Sequence, residues 1–381
     1  MLTESMRARV RDTLCRFWHY TDEEKAYAPK EIASVLRTMD ALNYIGRFHE
    51  AYDDDFALEV MELLNQREKL LIRLEDPAAL RIPLWQGNNI PDLVQGVNYP
   101  GSPDGEDFRP FIIPWLQKDE QDHPAMIVIS GGQRVNRSEG GSYCRYFQSI
   151  GFQVFQLGHR IEWGHKGTAV PNAALDLQRA IRFIRCRAAQ YHVEADHIFA
   201  IGSSLGGVTI VHMLEELPHS GTPGKCDKNY RPDDTDLCSD RLNGMLGIYT
   251  SSYPRSPRRE GIDYSVYPPV FAVMGGSDIA VDYQLAFYNE LVQHGVSAEI
   301  HLFNGAVHGF GIGDSVCAPS GFHEKIDSVS VWPELARIWT ERVCSGRALV
   351  GRQPFTTLKT SGKNSEAIQQ LLYPSWPGFP G

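Results

Sequence analysis

The chain has 381 residues, enough to bury a large core as one α/β domain with additions or as two domains. Its hydrophobic share of 42% and charged share of 22% are ordinary for a globular protein. A formal net charge of −10, with no long run of like charge, argues against nucleic acid and anionic membrane surfaces as partners.

The first residues, Met1 to Arg9, are polar and helix-like and lack the apolar segment of a secretory signal. No stretch reaches the roughly 18 apolar residues that a membrane-crossing helix needs. The seven cysteines are an odd number with no C-x-x-C pair. They read as reduced thiols of a cytoplasmic protein, while Cys226 and Cys238, which bracket a polar loop, would be the pair to join after export.

Residues 1 to about 75 read as helices. Met6, Val10, Leu14 and Phe17 recur at helical spacing, as do Phe56, Val60, Leu63 and Leu64. Residues 1–95 are therefore expected to form a helical extension and linker, packed on the main domain, capping a site or forming an oligomer surface. From Ile82 to Gly105, proline and glycine punctuate short apolar pieces, which reads as a linker or irregular strand region.

An alternating series follows over 96–345. Ala125 to Ile129 is a buried strand ending in Ser130-Gly131-Gly132-Gln133, and Glu139 to Ile150 can form a helix. Gln153 to Leu157 is a strand, and Pro171 or Asn172 opens a helix with Ala174, Leu177, Ile181, Ile184 and Ala188 on one face. Ile198 to Ile201 is an apolar strand that breaks at Gly202-Ser203-Ser204-Leu205-Gly206, and a helix containing Val208, Val211 and Leu214 follows. The polar insertion 218–240 is long for a plain connection and is a candidate lid. Gly244 to Tyr249 and Val270 to Met274 are strands, and Val281, Leu285, Tyr288 and Leu291 mark a helix. Ala298 to Phe303 is the last strand, Val331 to Val343 the last amphipathic helix, and 346–381 a peripheral tail. The alternation implies a mostly parallel sheet covered by helices on both faces.

Gly202 to Gly206 fits G-x-S-x-G, the pattern of a sharp strand-to-helix turn that exposes a nucleophilic serine. Gly202 and Gly206 remove the Cβ atoms that would crowd so tight a turn. Ser204 needs a base, because a serine hydroxyl is a poor nucleophile near neutral pH. His308, in the loop after Ala298–Phe303, can take its proton and return it to a leaving group. Asp278, in the Gly-Gly-Ser-Asp turn after Val270–Met274, can fix the histidine tautomer. The order is serine, acid, histidine, and each follows a strand, so all three are expected at the ligand-binding edge of the sheet. Asp282 reads as a helix cap or first-turn charge instead. His301 sits inside a strand; His159 and His165 come too early in the chain, and His165 is kept as a substrate-contact candidate. The oxyanion donors are expected at Leu205 and at Gly132 and Gln133. Arg255, Arg258 and Arg259 read as a solvated loop. No metal-ligand or nucleotide-binding pattern occurs, so neither metal nor cofactor is expected.

With these residues the chain resembles α/β-hydrolase-fold serine esterases, in particular the acetyl-xylan-esterase and feruloyl-esterase-like group of carbohydrate esterases. The resemblance rests on Ser130-Gly-Gly-Gln133, Glu139-Gly140, Leu157-Gly-His-Arg160, Pro171, Asp176 to Ala180, Gly202 to Gly207, Gly276-Ser-Asp278 and His308-Gly-Phe310, with Trp332 and Trp339 downstream. It covers about residues 123 to 343. It implies the α/β-hydrolase fold and ester hydrolysis through an acyl-serine without a cofactor. Ser204 would be the nucleophile, Asp278 the acid, His308 the base, and Gly132, Gln133 and Leu205 the oxyanion donors. Three departures stand out: Gly-Gly-Gln replaces a run of three glycines, Ser203-Ser204-Leu205 occupies the turn, and the region before residue 80 and the loop 218–240 match no counterpart in that group. The expected substrate is a small ester, acetyl-type, of a sugar or other small alcohol. Lactone or polyketide carbon–carbon cleavage, and a hydrolase fold used only for binding, are the alternatives.

Overall fold

A computed structural model describes residues 81–93, 108–131, 140–160, 169–219, 223–250, 261–278, 280–313 and 327–346. The expected N-terminal helices with their oligomer surface, the C-terminal tail, Gly132, Gln133, His165 and the three loop arginines lie outside these residues.

An eight-stranded sheet organises the chain, in the order β1-β2-β4-β3-β5-β6-β7-β8. The strands are β1 (Ile82–Pro83), β2 (Phe111–Trp115), β3 (His123–Ile129), β4 (Gln153–Gly158), β5 (Val193–Ser203), β6 (Gly244–Ile248), β7 (Val270–Gly275) and β8 (Ala298–Phe303). From β4 to β8 neighbours pair in parallel; β1 and β2 add an antiparallel edge. Parallel neighbours require crossovers. Helices α1 (Gly140–Ser149), α2 (Ala169–Cys186), α3 (Leu205–Glu216) and α4 (Val281–Gln293) lie within them, and α5 (Trp332–Cys344) follows β8.

Strand alternation builds two cores. Ala125, Ile127 and Ile129 of β3, with Ile198 and Ala200 of β5, face α2, α3 and α4. Met126 and Val128, with Phe199 and Ile201, face α1 and α5, where Tyr143, Phe147, Trp332 and Trp339 are buried. Each such apolar side chain contributes about 1.5–3 kcal/mol when fully buried. The central strands therefore read as continuous apolar runs. β4 lies on one side of β3 and β5 on the other, so the chain reverses direction across the sheet between them. A parallel sheet opens its ligand crevice at such a reversal.

The α/β architecture matches the expectation, with differences at the margins. Residues 82–93 were grouped with the N-terminal extension, yet β1 pairs with β2 and Leu84 and Trp85 are buried in the core. β2 lies outside the strands expected from the sequence and contains Pro114. Its partner on that segment is an antiparallel neighbour at the sheet margin, where a missing N–H is tolerated. Helix α2 starts at Ala169, before the expected Pro171. Leu285, expected on the buried face of α4, is 42% exposed, while Gln284 and Phe287 point inward.

The described part of insertion 218–240 is fastened along α2. Arg179 bonds Asp233 and Asp236, Arg182 reaches Asp240, and Gln178 donates to Asp240. A disulfide joins Cys186 to Cys238, with Cα atoms 5.9 Å apart. This corrects the reading of Cys238 as reduced or as a partner for Cys226, which is a free thiol. Cys186 closes α2 and meets the loop as it passes; sequence proximity favoured the wrong partner. The cytoplasmic expectation rested on reduced cysteines and loses that support at this pair. No described helix is long and apolar enough to cross a membrane.

Candidate active site

Ser204 lies between β5 and α3 with φ 50° and ψ −119°, a conformation that L-residues rarely adopt. Its surroundings hold it there. Its N–H donates to the Ile248 carbonyl at 2.9 Å, and Thr250 Oγ1 donates to the Ser204 carbonyl at 2.8 Å. A Cβ on Gly202 would collide with the backbone of Gly206 and Gly207, and one on Gly206 with the Ile129 carbonyl. Both glycines are thus required by close backbone approach, and the turn points Ser204 out of the sheet at the carboxyl end of β5. Leu205 is the first residue of α3, where an N–H has no partner one turn back in the helix.

Two loops from later strands converge on this serine. His308 Nε2 lies 2.8 Å from Ser204 Oγ, and His308 Nδ1 lies 2.8 Å from Asp278 Oδ2. Asp278 is buried, at 3% exposure, and well supplied with donors. The Ala280 N–H reaches Oδ1 at 2.8 Å, and Gln284 Nε2 reaches Oδ2 at 3.0 Å. Burial alone would raise the Asp278 carboxyl, but the hydrogen bond and charge of His308, helped by Ala280 and Gln284, hold it below its ordinary value of 3.8. The carboxylate is therefore ionised over the whole neutral range.

Several contacts around this trio were not anticipated. Tyr249 follows β6 directly, and its ring packs on His308 at 4.8 Å and on Phe310 at 4.7 Å between centroids. Its hydroxyl lies 3.1 Å from that of Tyr143, and its φ is 39°. Position after a strand, the signal that marks Asp278, marks Thr250 after the expected strand Gly244 to Tyr249; Tyr249 follows β6 only because that strand ends one residue earlier, at Ile248. Gln284 carries no such signal, because a glutamine at an inward helical position reads as surface. Of the residues set aside earlier, Asp282 is exposed in the first turn of α4 and His301 lies in β8 beside Glu299. His159 is buried, with Nδ1 against the Arg160 carbonyl. Among the described residues no group of three or more His, Cys, Asp or Glu is arranged to hold a metal.

A serine in a strained strand-to-helix turn, bonded to a histidine that is bonded to a buried carboxylate, is an arrangement for acyl transfer. Family comparison meets the geometry on the same residues. The model described as alpha/beta hydrolase fold matches residues 167–312, which include all three side chains, and the BD-FAE model matches residues 113–217. The chain has the α/β-hydrolase fold. Solved structures share this hydrolase fold. The acetyl ester-xyloside bifunctional hydrolase from Caldicellulosiruptor lactoaceticus is 22% identical with a TM-score of 0.55, over 70% of this chain and 97% of its own. The carboxylesterase Cest-2923 from Lactobacillus plantarum WCFS1 is 20% identical with a TM-score of 0.50, over 65% of this hydrolase and 96% of its own chain. Apo esterase 2 from Thermogutta terrifontis is 17% identical with a TM-score of 0.50, over 73% and 97%. No curated protein matches the chain.

Proposed function

We propose that this α/β-hydrolase is a serine esterase that removes a small acyl group, acetyl-type, from a sugar or other small alcohol. The observation that carries the reading is the hydrogen-bonded series Ser204 Oγ, His308, Asp278, with both links at 2.8 Å. Ser204 Oγ attacks the ester carbonyl carbon while His308 Nε2 takes its proton. The resulting oxyanion is held by backbone N–H groups, Leu205 among them, with Gly132 and Gln133 as the other donors. The carbon–oxygen bond to the alcohol then breaks, and His308 gives its proton to the departing oxygen. A water molecule, deprotonated by His308, attacks the acyl-serine; the acid leaves and Ser204 regains its proton. Asp278 stays ionised, fixes the imidazole and stabilises its charged form. The acetyl-sugar choice draws on the likeness to the bifunctional acetyl ester-xyloside hydrolase and on the BD-FAE match.

Hydrolysis of p-nitrophenyl acetate tests the chemistry, and an ester series from acetyl to feruloyl tests the acyl preference. Ser204→Ala is expected to lower kcat by at least about 10³-fold. Full turnover by that variant, or equal rates on acetyl and feruloyl esters, would contradict the reading.

A further inference from the structure

His308 is bonded through both ring nitrogens, to Asp278 and to Ser204. Such bonds lie near the plane of an imidazole, where its nitrogens carry their proton and lone pair. They fix where the ring sits, but they resist tilting about the line that joins them only weakly. A bulky group packed against the ring resists tilting directly, and Tyr249 is such a group, with its ring 4.8 Å from that of His308 between centroids. Tyr249 is itself held on several sides. Its N–H donates to the Val273 carbonyl at 2.7 Å, its ring meets Phe310 edge-on, and its hydroxyl lies against that of Tyr143 in α1. All three of these aromatic side chains are buried. Tyr249 also keeps φ 39°, a left-handed conformation that a tyrosine rarely adopts. Strain of this kind persists where the surroundings fix it, and it gathers at working sites. The loop that carries His308 is fastened on either side of that residue. The Ser277 N–H donates to the Ala306 carbonyl at 2.8 Å, and Trp332 Nε1 donates to the Gly311 carbonyl at 3.2 Å. These two anchors set the backbone of the loop, and the imidazole between them packs on Tyr249.

We propose that Tyr249 is a positioning residue whose ring fixes the tilt of the His308 imidazole between Ser204 and Asp278. The proposal rests on the esterase reading and adds to it a residue that acts only through the base. In turnover the imidazole takes the proton of Ser204 Oγ and gives it to a different atom, the departing oxygen. Its Nε2 must stay aimed at the reacting atoms while its bonding partner changes. Once Ser204 Oγ is acylated, it no longer donates to His308, and of the two bonds only that to Asp278 remains. The Tyr249 ring then supplies the second constraint. An aliphatic side chain in its place leaves Nε2 free to shift by a fraction of an ångström. Misplacement on that scale costs rate more than binding.

The test uses the full chain with p-nitrophenyl acetate as substrate and a fluorophosphonate as probe, whose attack by Ser204 also needs His308 as base. Tyr249→Leu is expected to lower kcat about tenfold to hundredfold, with KM within about threefold, and to slow phosphonylation by a similar factor. Tyr249→Phe keeps the ring and loses only the hydroxyl, and is expected to restore kcat to within about threefold of the unaltered protein. Tyr249→Met fills the volume without a flat ring and replaces leucine, with the same expected loss, if that variant does not fold. A leucine or methionine variant that loses thermal stability but keeps kcat per folded molecule and the rate of phosphonylation overturns the proposal. So does a loss that falls wholly on KM, or a phenylalanine variant as slow as the leucine one. If the unaltered protein does not hydrolyse the ester, the proposal falls together with the esterase reading; if it does and Tyr249→Leu equals it, the proposal alone falls.

Discussion

Asp278 is the residue whose surroundings say most about its state. Removing it from water disfavours its charge, and His308, Ala280 and Gln284 more than offset that. The folded protein thus keeps Asp278 ionised to lower pH than the unfolded chain does. As pH falls, the unfolded chain binds the proton first. The stabilisation is complete above the ordinary value of 3.8 and is lost as pH drops through the lower folded value. Asp278→Asn removes this contribution, so thermal midpoints measured from about pH 5 to pH 3 should fall less steeply for the variant than for the unaltered protein. The same change should lower kcat at neutral pH by about 10³- to 10⁴-fold, since asparagine does not stabilise the imidazolium and favours the wrong tautomer.

At the scale of an element, α2 is the unusual one. Its apolar stripe faces the sheet in the ordinary way, with Leu177, Ile181 and Ile184 buried. Its opposite side is also covered, because Arg179 and Arg182 are held by Asp233, Asp236 and Asp240 of the insertion, and Cys186 is bonded to Cys238. Buried arginines with carboxylate partners are costly to unpair. The disulfide closes a loop of 52 residues, which stabilises by about 2–4 kcal/mol through the unfolded chain. Reduction with a thiol, or Cys238→Ser, is expected to lower the thermal midpoint by several degrees. Hydrolysis at 25 °C should persist, because among the described residues the clamp is built from side chains other than Ser204, His308 and Asp278. A differential scanning measurement paired with an ester assay reads both. Loss of hydrolysis at unchanged stability would show that the insertion serves the site directly.

For the whole molecule, the sheet separates two cores that differ in composition. Trp339 fills the core on the α1 and α5 face, against Phe199 and Phe271. Trp339→Ala should destabilise the protein by about 3–5 kcal/mol in urea denaturation, with kcat per folded molecule retained. Much of this architecture was legible in the chain. Runs such as Ala125 to Ile129 and Val270 to Met274 are apolar on both faces, as strands between two helical layers must be. The trio Ser204, Asp278 and His308 was legible because each follows a strand, the one before His308 being alternating rather than apolar on both faces. What escaped depends on partners far away in sequence. β2 holds a proline, and only its place at the antiparallel margin makes that acceptable. Cys186 pairs with a cysteine beyond two intervening elements, β5 and α3. Leu285 and Gln284 exchange faces because Gln284 donates to Asp278, a polar demand that hydrophobic periodicity does not contain.

The margin strand β1 has a consequence for how the chain is made. Trp85 donates to Asp176, 91 residues later, the Asp92 N–H donates to Asp227, 135 residues later, and Asn89 meets Arg231 at a separation of 142. As the polypeptide leaves the ribosome, this segment emerges long before these three partners, although β2 follows it closely. Long-range partners slow folding, since loop closure precedes any reward from contact. Leu84 and Trp85 therefore spend the interval of synthesis uncovered, in the window where nascent chains are most prone to associate. Full docking of the residues after β1 waits on the insertion that α2 later clamps, so the contacts of Asn89 and Asp92 are among the last to close.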